Sequence, residues 1–225
     1  MHGLEQDLAT ATVDALRASG HEAVAIVGDL TDAAACRRIV QFTVDHYGGI
    51  DVLVNNAATL TRAHLEDVSV EQWDAVMAIN LRAPFVCLQE AVRHMKAGGG
   101  SIVNIGSINA YIGLPKLGPY SVSKGGLMTL TRNAASALGK YRIRVNQINP
   151  GWTLTEGERV VQRAEGNGDD WLDAAIATRP FGRMLSPQDI AAAAAYLASD
   201  AGAMVSGAVI DLEQYPVGAV PITAL

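Results

Sequence analysis

The chain has 225 residues, of which 49% are hydrophobic and 18% are charged, and its formal net charge is −6. This length is enough for one domain with a sizeable buried core, and the composition excludes intrinsic disorder. The acidic balance, without a basic cluster, argues against nucleic acid as a partner. The longest wholly apolar run, residues 191–198, is far too short to span a membrane, so we expect no membrane partner and a cytoplasmic location.

The two cysteines, Cys36 and Cys87, both fall within helical apolar patterns. A cysteine in such a position usually behaves as a small hydrophobic residue, and neither has the spacing of a metal ligand. We therefore expect reduced core thiols, as in a cytosolic protein, and no metal site.

The first quarter of the chain alternates helical and strand patterns. Apolar residues recur at helical spacing over residues 4–15, and Gly20 is placed to end that helix. A β-rich run follows at residues 22–29, then a helix over residues 32–47 and a short buried strand at residues 51–55. Such alternation predicts an α/β domain with a parallel sheet.

A longer helix is predicted from Ser69, because Ser69 and Gln72 have the spacing of a capping box. Asn80 is the polar exception in its apolar stripe, and a buried asparagine is most often a structural bridge. Pro84 has no N–H, however, so the carbonyl of Asn80 loses its helical partner and the helix should kink there. A free carbonyl of this kind can hold a water molecule.

Residues 101–124 carry the clearest chemical pattern. A buried strand is predicted up to Ile105, with Ser107 at its end, and a helix begins after Pro119. Tyr120 and Lys124 are then one turn apart on one helical face. A lysine ammonium near a phenol is expected to lower the phenol pKa toward the range of general acid and base catalysis, and a serine hydroxyl can bind a carbonyl oxygen.

A Tyr-Lys pair at this spacing also occurs by chance on many helices, so the pair alone is weak evidence. Together with Ser107 and the YSVSK run, however, the segment resembles the active site of the short-chain dehydrogenase/reductase family. The resemblance implies an NAD(P)-dependent oxidoreductase that transfers a hydride between nicotinamide and a carbonyl or secondary alcohol of a small molecule, of sugar, polyol or 3-oxoacyl type among others.

The same resemblance implies a role for each site residue. Tyr120 would be the general acid or base, Lys124 would lower its pKa and hold the cofactor ribose, and Ser107 would orient the substrate oxygen. Asn80, in a segment similar to the family's INLRAPF-like run, would anchor a relay water and complete a tetrad.

Further positions resemble the family's NAD or NADP contacts. The NNAA run that begins at Asn55 and includes Ala57 is similar to the family's NNAG motif, with Ala58 in place of glycine. Asp29 resembles the acid that contacts adenine, although a turn or helix N-cap aspartate is about as frequent at such a position. The nicotinamide carboxamide would be held by the segment that contains Pro150, Gly151, Thr153 and Thr155.

The resemblance implies a Rossmann-like doubly wound parallel sheet in one domain, residues 1–225, but the family's glycine-rich TGxxxGxG turn is not found in this sequence. We therefore expect the first βαβ portion to be lacking, which would leave the flanking strands unpaired, lower the stability and weaken dinucleotide binding. A catalytically silent scaffold with the family fold is the alternative to an enzyme.

Residues 155–182 are expected to form a substrate lid of two short helices separated by residues 166–168, because family members build a mobile lid there. The apolar side of the helix after Pro119 also suits the helix-to-helix subunit contact of the family. A homo-oligomer, either a dimer or a tetramer, is therefore expected.

Overall fold

Strands and helices alternate along residues 1–218, the part of the chain that the computed structural model describes. The strands are β1 His2–Gly3, β2 Ile26–Val27, β3 Val52–Asn55, β4 Gly100–Ile105, β5 Ile143–Pro150 and β6 Val209–Leu212. The helices are α1 Gln6–Ala18, α2 Ala33–Tyr47, α3 Val70–Met77, α4 Ala83–Met95, α5 Gly118–Leu138, α6 Glu156–Ala164, α7 Trp171–Ala177 and α8 Pro187–Ala198. The predicted order of elements is confirmed, with one addition: a two-residue strand precedes the first helix.

Four strands form the main sheet in the order β3-β4-β5-β6, and all of them are parallel. Their carboxyl ends, at Asn55, Ile105, Pro150 and Leu212, therefore lie along one edge of the sheet. In open parallel sheets this edge is where ligands bind.

Helices cover both faces of the main sheet, as a doubly wound fold requires. Ile102 and Val145 belong to the larger core cluster, which also contains buried residues of α2, α4 and α5. Val103 and Ile148, which lie one and three residues further along the same strands, point to the opposite face and pack with Leu197 of α8. Residues an odd number of positions apart alternate in this way because a strand has a two-residue period.

Strands β1 and β2 form a separate parallel pair. A cleft of about 310 Å³ lies between this pair and the main sheet, with His2 on one side and Leu53 and Val54 on the other. Val52 and Val54 are 40% and 44% exposed, which is high for strand residues of a parallel sheet. The Rossmann-like parallel architecture is confirmed, while the expected lack of a first βαβ portion stays a prediction.

The helical stretch Val70–Met95 contains a local irregularity where the kink was predicted. Ser69 and Gln72 form the expected capping box at its start, and residues Ala78–Arg82 form a turn of π-helix between α3 and α4. A π-turn of this kind accommodates the missing N–H of Pro84.

The same stretch, Val70–Met95, is long and apolar enough by composition to cross a membrane. Of the most apolar 18 consecutive residues in this stretch, 61% are buried inside the protein, as expected for a core helix of this fold.

The two cysteines lie in the larger core cluster, as predicted. Cys36 and Cys87 are buried and form no disulfide, and burial raises the pKa of both thiols, that of Cys87 to about 12. The protonated thiol is therefore the stable form at neutral pH, and both residues act as core hydrophobes.

Candidate active site

Helix α5 places Tyr120 and Lys124 one turn apart beside the carboxyl ends of β4 and β5. Lys124 is only 2% exposed. Its Nζ donates a hydrogen bond of 2.8 Å to the Ile105 carbonyl and lies 5.6 Å from the centre of the Tyr120 ring. The predicted pair is therefore formed at the end of strand β4.

Ser107 lies directly after β4 and is held from both sides. Its N–H donates to Asn149 Oδ1 at 3.1 Å, and its hydroxyl oxygen accepts a hydrogen bond of 3.2 Å from the Asn109 N–H. Residue 106 must be glycine here, because a Cβ at Gly106 would collide with the side chains of Gln147 and Asn149. The serine hydroxyl faces the Tyr120 phenol and stabilises its ionised form.

The pKa values of the pair differ from the sequence-based expectation. Burial raises the pKa of Tyr120, and hydrogen bonding from Ser107 offsets only part of that rise. Burial also lowers the pKa of Lys124, to about 8. The expected lowering of the tyrosine pKa by Lys124 is thus wrong for this chain: the ammonium lies over the ring face and bonds to Ile105, so desolvation decides the direction.

Asn80 lies on the π-helical turn and is fully buried. Its Oδ1 accepts from the Thr59 N–H at 2.8 Å, and its Nδ2 donates to the Thr59 carbonyl at 2.8 Å and to Ser123 Oγ at 3.1 Å. Both amide N–H groups are used, so the side chain bridges the segment after β3 to helix α5. This contact gives Asn80 the structural role that the sequence left open, while its part in a proton relay stays a prediction.

A chain of buried polar side chains crosses the main sheet beneath α5. It begins with Asn55 Nδ2 donating to Asn104 Oδ1 and continues through Thr131 and Gln147 to Asn149, with links of 2.7–3.1 Å. Because Asn149 also holds the Ser107 N–H, the chain ends at the predicted active site. Asn104, Gln147 and Asn149 were missed from the sequence, although polar residues in two apolar strands were a usable signal.

Several predicted cofactor residues line one cleft of about 590 Å³ with Ser107, Tyr120 and Lys124. These are Pro150, Gly151, Thr153 and Thr155, all at or just after the end of β5. Thr153 Oγ1 donates to the Gly151 carbonyl, and Thr155 caps helix α6 through its hydroxyl.

The other predicted cofactor residues lie elsewhere. Asn55 and Ala57 line the cleft between β1 and β3. Asp29 is exposed and accepts a hydrogen bond of 2.8 Å from the Thr31 N–H, so its carboxylate stabilises its own turn, which also lowers its pKa. The structure does not bring Asp29 to the cleft that contains Tyr120.

Lys124 has the hydrogen-bond donors that a dinucleotide cofactor would need at this end of the cleft. Its ammonium carries three N–H donors, of which one is used by Ile105, and it lines the cleft next to the Tyr120 phenol. A buried ammonium with donors to spare beside a phenol is suited to the hydroxyl groups of a ribose. The nicotinamide end of the site therefore fits the group that the sequence implies.

Residues 155–182 form the two predicted helices, α6 and α7, and the Trp171 ring of α7 lies 6.1 Å from the ring of Trp152, which precedes this segment. Four further charged residues of the same cleft were not predicted from the sequence: Arg62, Glu158, Arg179 and Glu213. Arg62 pairs with Glu165 at 3.3 Å across more than a hundred residues of sequence, a contact that local patterns cannot indicate.

The fold is a parallel α/β sheet, and Ser107, Tyr120 and Lys124 lie together at the carboxyl ends of its strands, the edge at which such folds bind dinucleotides. The profile of a family described as enoyl-(acyl carrier protein) reductase matches residues 2–213. An uncharacterized oxidoreductase of Thermotoga maritima is 35% identical over 214 residues, which make up 95% of this chain and 84% of that protein. A short-chain dehydrogenase/reductase of Hericium erinaceus is 35% identical over 91% of this chain and 80% of its own.

Among solved structures, a gluconate 5-dehydrogenase from Burkholderia cenocepacia J2315, in complex with NADP and tartrate, superposes with a TM-score of 0.86. It is 30% identical, and the match covers 98% of this chain and 85% of that one. The chain belongs to the short-chain dehydrogenase/reductase family and is an NAD(P)-dependent oxidoreductase. The silent-scaffold alternative is not favoured, because the relatives are named as oxidoreductases and dehydrogenases.

Proposed function

We propose that Tyr120 is the general acid or base of a reversible hydride transfer between nicotinamide and a carbonyl or secondary alcohol carbon. One observation carries the assignment: the half-buried Tyr120 phenol lines the same cleft as the Ser107 hydroxyl and the buried Lys124 ammonium, whose Nζ lies 5.6 Å from the centre of the Tyr120 ring. When bound, the nicotinamide supplies or accepts the hydride.

The chain's own groups then handle the proton and the oxygen. The Ser107 hydroxyl binds the substrate oxygen, and Tyr120 donates its phenolic proton to that oxygen in reduction or accepts one in oxidation. Lys124 would hold the ribose hydroxyls of the cofactor through its unused N–H groups. Asn80 fixes Thr59 to helix α5 and would anchor the relay water.

The other predicted cofactor residues receive binding roles according to where they lie. We assign the nicotinamide carboxamide to Pro150, Gly151, Thr153 and Thr155, which border the catalytic residues. Asn55 and Ala57 would support the cofactor from the end of β3. Asp29 is retained as an adenine contact, which would require its carboxylate to leave the turn that it now stabilises.

The substrate is a small molecule that enters beneath the lid, residues 155–182. The similar gluconate 5-dehydrogenase supports a sugar or polyol substrate, and the family description, enoyl-(acyl carrier protein) reductase, supports an acyl substrate, of which the 3-oxoacyl type is the one with a carbonyl to reduce. We also place the protein in the cytoplasm, which free buried cysteines support.

A homo-oligomer is proposed from an apolar surface formed by α3, α4 and α5. A cavity of about 870 Å³ opens there and is lined by Met77, Leu81, Phe85 and Leu130 among others. The Phe85 ring is 44% exposed, so a second copy of the chain would remove apolar surface from water.

Replacing Tyr120 with Phe tests the catalytic assignment, because it removes the proton-transferring oxygen and leaves the ring. We expect reductase turnover with NADH or NADPH to fall by at least about 10². Tyr196→Phe, on the exposed surface of α8, is the matched control and should keep full turnover. Full turnover by Tyr120→Phe, with an unchanged melting temperature, would refute the assignment.

A further inference from the structure

The active-site cleft contains two opposite charges that the hydride-transfer mechanism does not use. They are the guanidinium of Arg179, just after α7, and the carboxylate of Glu213, just after β6. Their side chains are only 16% and 9% exposed. A charged pair this deeply buried is costly unless each group is paired and hydrogen-bonded.

The pair is incompletely satisfied. The shortest approach between the two groups, from Arg179 Nη1 to Glu213 Oε1, is 3.9 Å, which is beyond hydrogen-bond distance. The Nε–H of Arg179 is buried and, among residues 1–218, finds no acceptor. The remaining contact is the Trp152 ring, 5.5 Å from the guanidinium carbon.

The second arginine of the cleft, Arg62, differs from Arg179 because its guanidinium is paired with carboxylates. Arg62 lies between two carboxylates, those of Glu165 at 3.3 Å and Glu158 at 3.7 Å. Glu158 in turn accepts hydrogen bonds from the indole N–H of Trp152 and from Gln162, at 2.8 and 2.7 Å. Arg62 therefore forms ion pairs with two carboxylates of the 155–182 segment, whereas the Arg179 guanidinium has an N–H donor without an acceptor among the described residues.

Glu213 is fixed on its side of the gap. Its Oε1 accepts a hydrogen bond of 2.6 Å from the N–H of Gln214, and its carboxylate lies against Gly151 so closely that a Cβ at that position would collide with it. The carboxylate therefore cannot approach Gly151 further, and both it and the Arg179 guanidinium face the same cleft.

We propose that Arg179 and Glu213 together bind a hydroxyl group of the substrate, which makes the substrate a polyhydroxylated compound of polyol or sugar type. A hydroxyl oxygen about 2.8 Å from each group would close a gap of this size, since it can accept from the guanidinium and donate to the carboxylate. This inference rests on the proposed function, because it names the substrate of the same cleft.

Two other substrate chemistries fit this pair less well. A substrate carboxylate on Arg179 would lie beside the carboxylate of Glu213, and two like charges that close disfavour each other. A purely apolar group would offer no acceptor to Arg179 and no donor to Glu213. A hydroxyl group both donates and accepts, so it can bond to the two charged groups at once.

The test measures binding without cofactor or turnover, so its result is independent of the hydride-transfer step. Trp152 lies beside Arg179, and its emission reports a ligand there. Wild type is titrated with xylitol, D-gluconate and cyclohexanol, and so are Arg179→Met, Glu213→Gln and the control Arg159→Met, which lines a different cleft. Glu213→Gln has the shape of the original side chain, so it decides the outcome if Arg179→Met fails to fold.

We expect xylitol to change the emission of wild type in a saturable way. The xylitol concentration at half-saturation should be higher by about tenfold or more in Arg179→Met and in Glu213→Gln, and unchanged in Arg159→Met. Cyclohexanol should show no dependence on either residue. The inference is overturned if xylitol gives no saturable response, if both variants bind it like wild type, or if Glu213→Gln improves the binding of D-gluconate above that of xylitol. Retained xylitol binding together with full turnover by Tyr120→Phe would refute the catalytic assignment alone.

Discussion

At the scale of single residues, the unusual group is Lys124, a lysine buried to 2% exposure with one hydrogen bond to a neutral carbonyl. Burial without a counter-ion disfavours the charged form, which explains why its pKa falls from 10.5 to about 8. The ammonium that serves the site therefore weakens the fold, because the folded state must keep a charge out of water.

This cost should depend on pH in a defined window. Below pH 8 Lys124 is protonated in both the folded and the unfolded chain, so the folded state bears the full cost of the buried charge. Between the folded pKa of about 8 and the unfolded pKa of 10.5, the unfolded chain still binds a proton that the folded chain has released. Stability therefore rises with pH over this range. We expect the free energy of unfolding of wild type, minus that of Lys124→Met, to increase by about 3 kcal/mol across this window.

Urea unfolding below pH 8 and near pH 10.5 measures that difference. Lys140→Met, at an exposed position, controls for the general effect of removing a lysine. A difference that stays constant or decreases with rising pH would show that burial does not disfavour the Lys124 charge.

The catalytic residues were predictable because their relation is local. Tyr120 and Lys124 are one helical turn apart, so any helix places them together, and Ser107 follows a strand that its apolar neighbours predict. Arg179 and Glu213 are separated by 34 residues and meet only because β6 ends beside the lid. The sequence contains no periodicity that links them, and the same holds for the direction of the Tyr120 pKa, which depends on burial.

At the scale of elements, the buried polar chain across β3, β4 and β5 is the feature that regular strand patterns do not explain. The parallel register places Asn55 beside Asn104 and Asn104 beside Gln147. Thr131 of α5 joins two of these strands through its hydroxyl. A fully connected buried network of this kind fixes register, since a shifted strand would leave several groups unpaired.

Gln147→Ala should therefore destabilise the protein more than its size suggests. It removes one hydrogen-bond partner each from Thr131 Oγ1 and Asn149 Oδ1 at a fully buried position, and we expect a loss of about 3 kcal/mol in the free energy of unfolding. Gln188→Ala, on the exposed side of α8, should change it by less than about 0.5 kcal/mol. Chemical denaturation compares the two, and equal small losses would mean that the network carries no stability.

At the scale of the whole molecule, the sheet is divided into a pair and a group of four. The pair has two residues in each strand, and α1, which covers it, buries only Ala9 and Val13 while Leu4 and Leu8 beside it remain 68% and 63% exposed. Little apolar burial supports this unit, so it should open more easily than the rest of the fold. Element order was predictable from the sequence, and unpaired flanking strands were expected from the absent glycine-rich turn. The pairing of β1 with β2 was not predicted, because it depends on contacts between distant residues.

Hydrogen exchange can separate the two parts. The amides of Ile26 and Gly28, which donate to Met1 and Gly3 across the small sheet, should exchange at least about 10² times faster than those of Val103 and Val145 in the main sheet. Protection factors from mass spectrometry of peptic fragments provide the comparison, and equal protection would indicate that the whole chain opens as one unit.

The association of whole molecules can be tested on the apolar surface of α3, α4 and α5. Phe85→Asp would place a carboxylate at its centre, where an unpaired charge cannot be buried against a second copy without a large desolvation penalty. We expect wild type to elute as a dimer or tetramer in size-exclusion chromatography with light scattering, and Phe85→Asp to elute as a monomer. Phe181→Asp makes the same exchange at a ring that is 76% exposed outside this surface and should keep the wild-type mass. If Phe85→Asp also keeps it, the subunits do not meet on this surface.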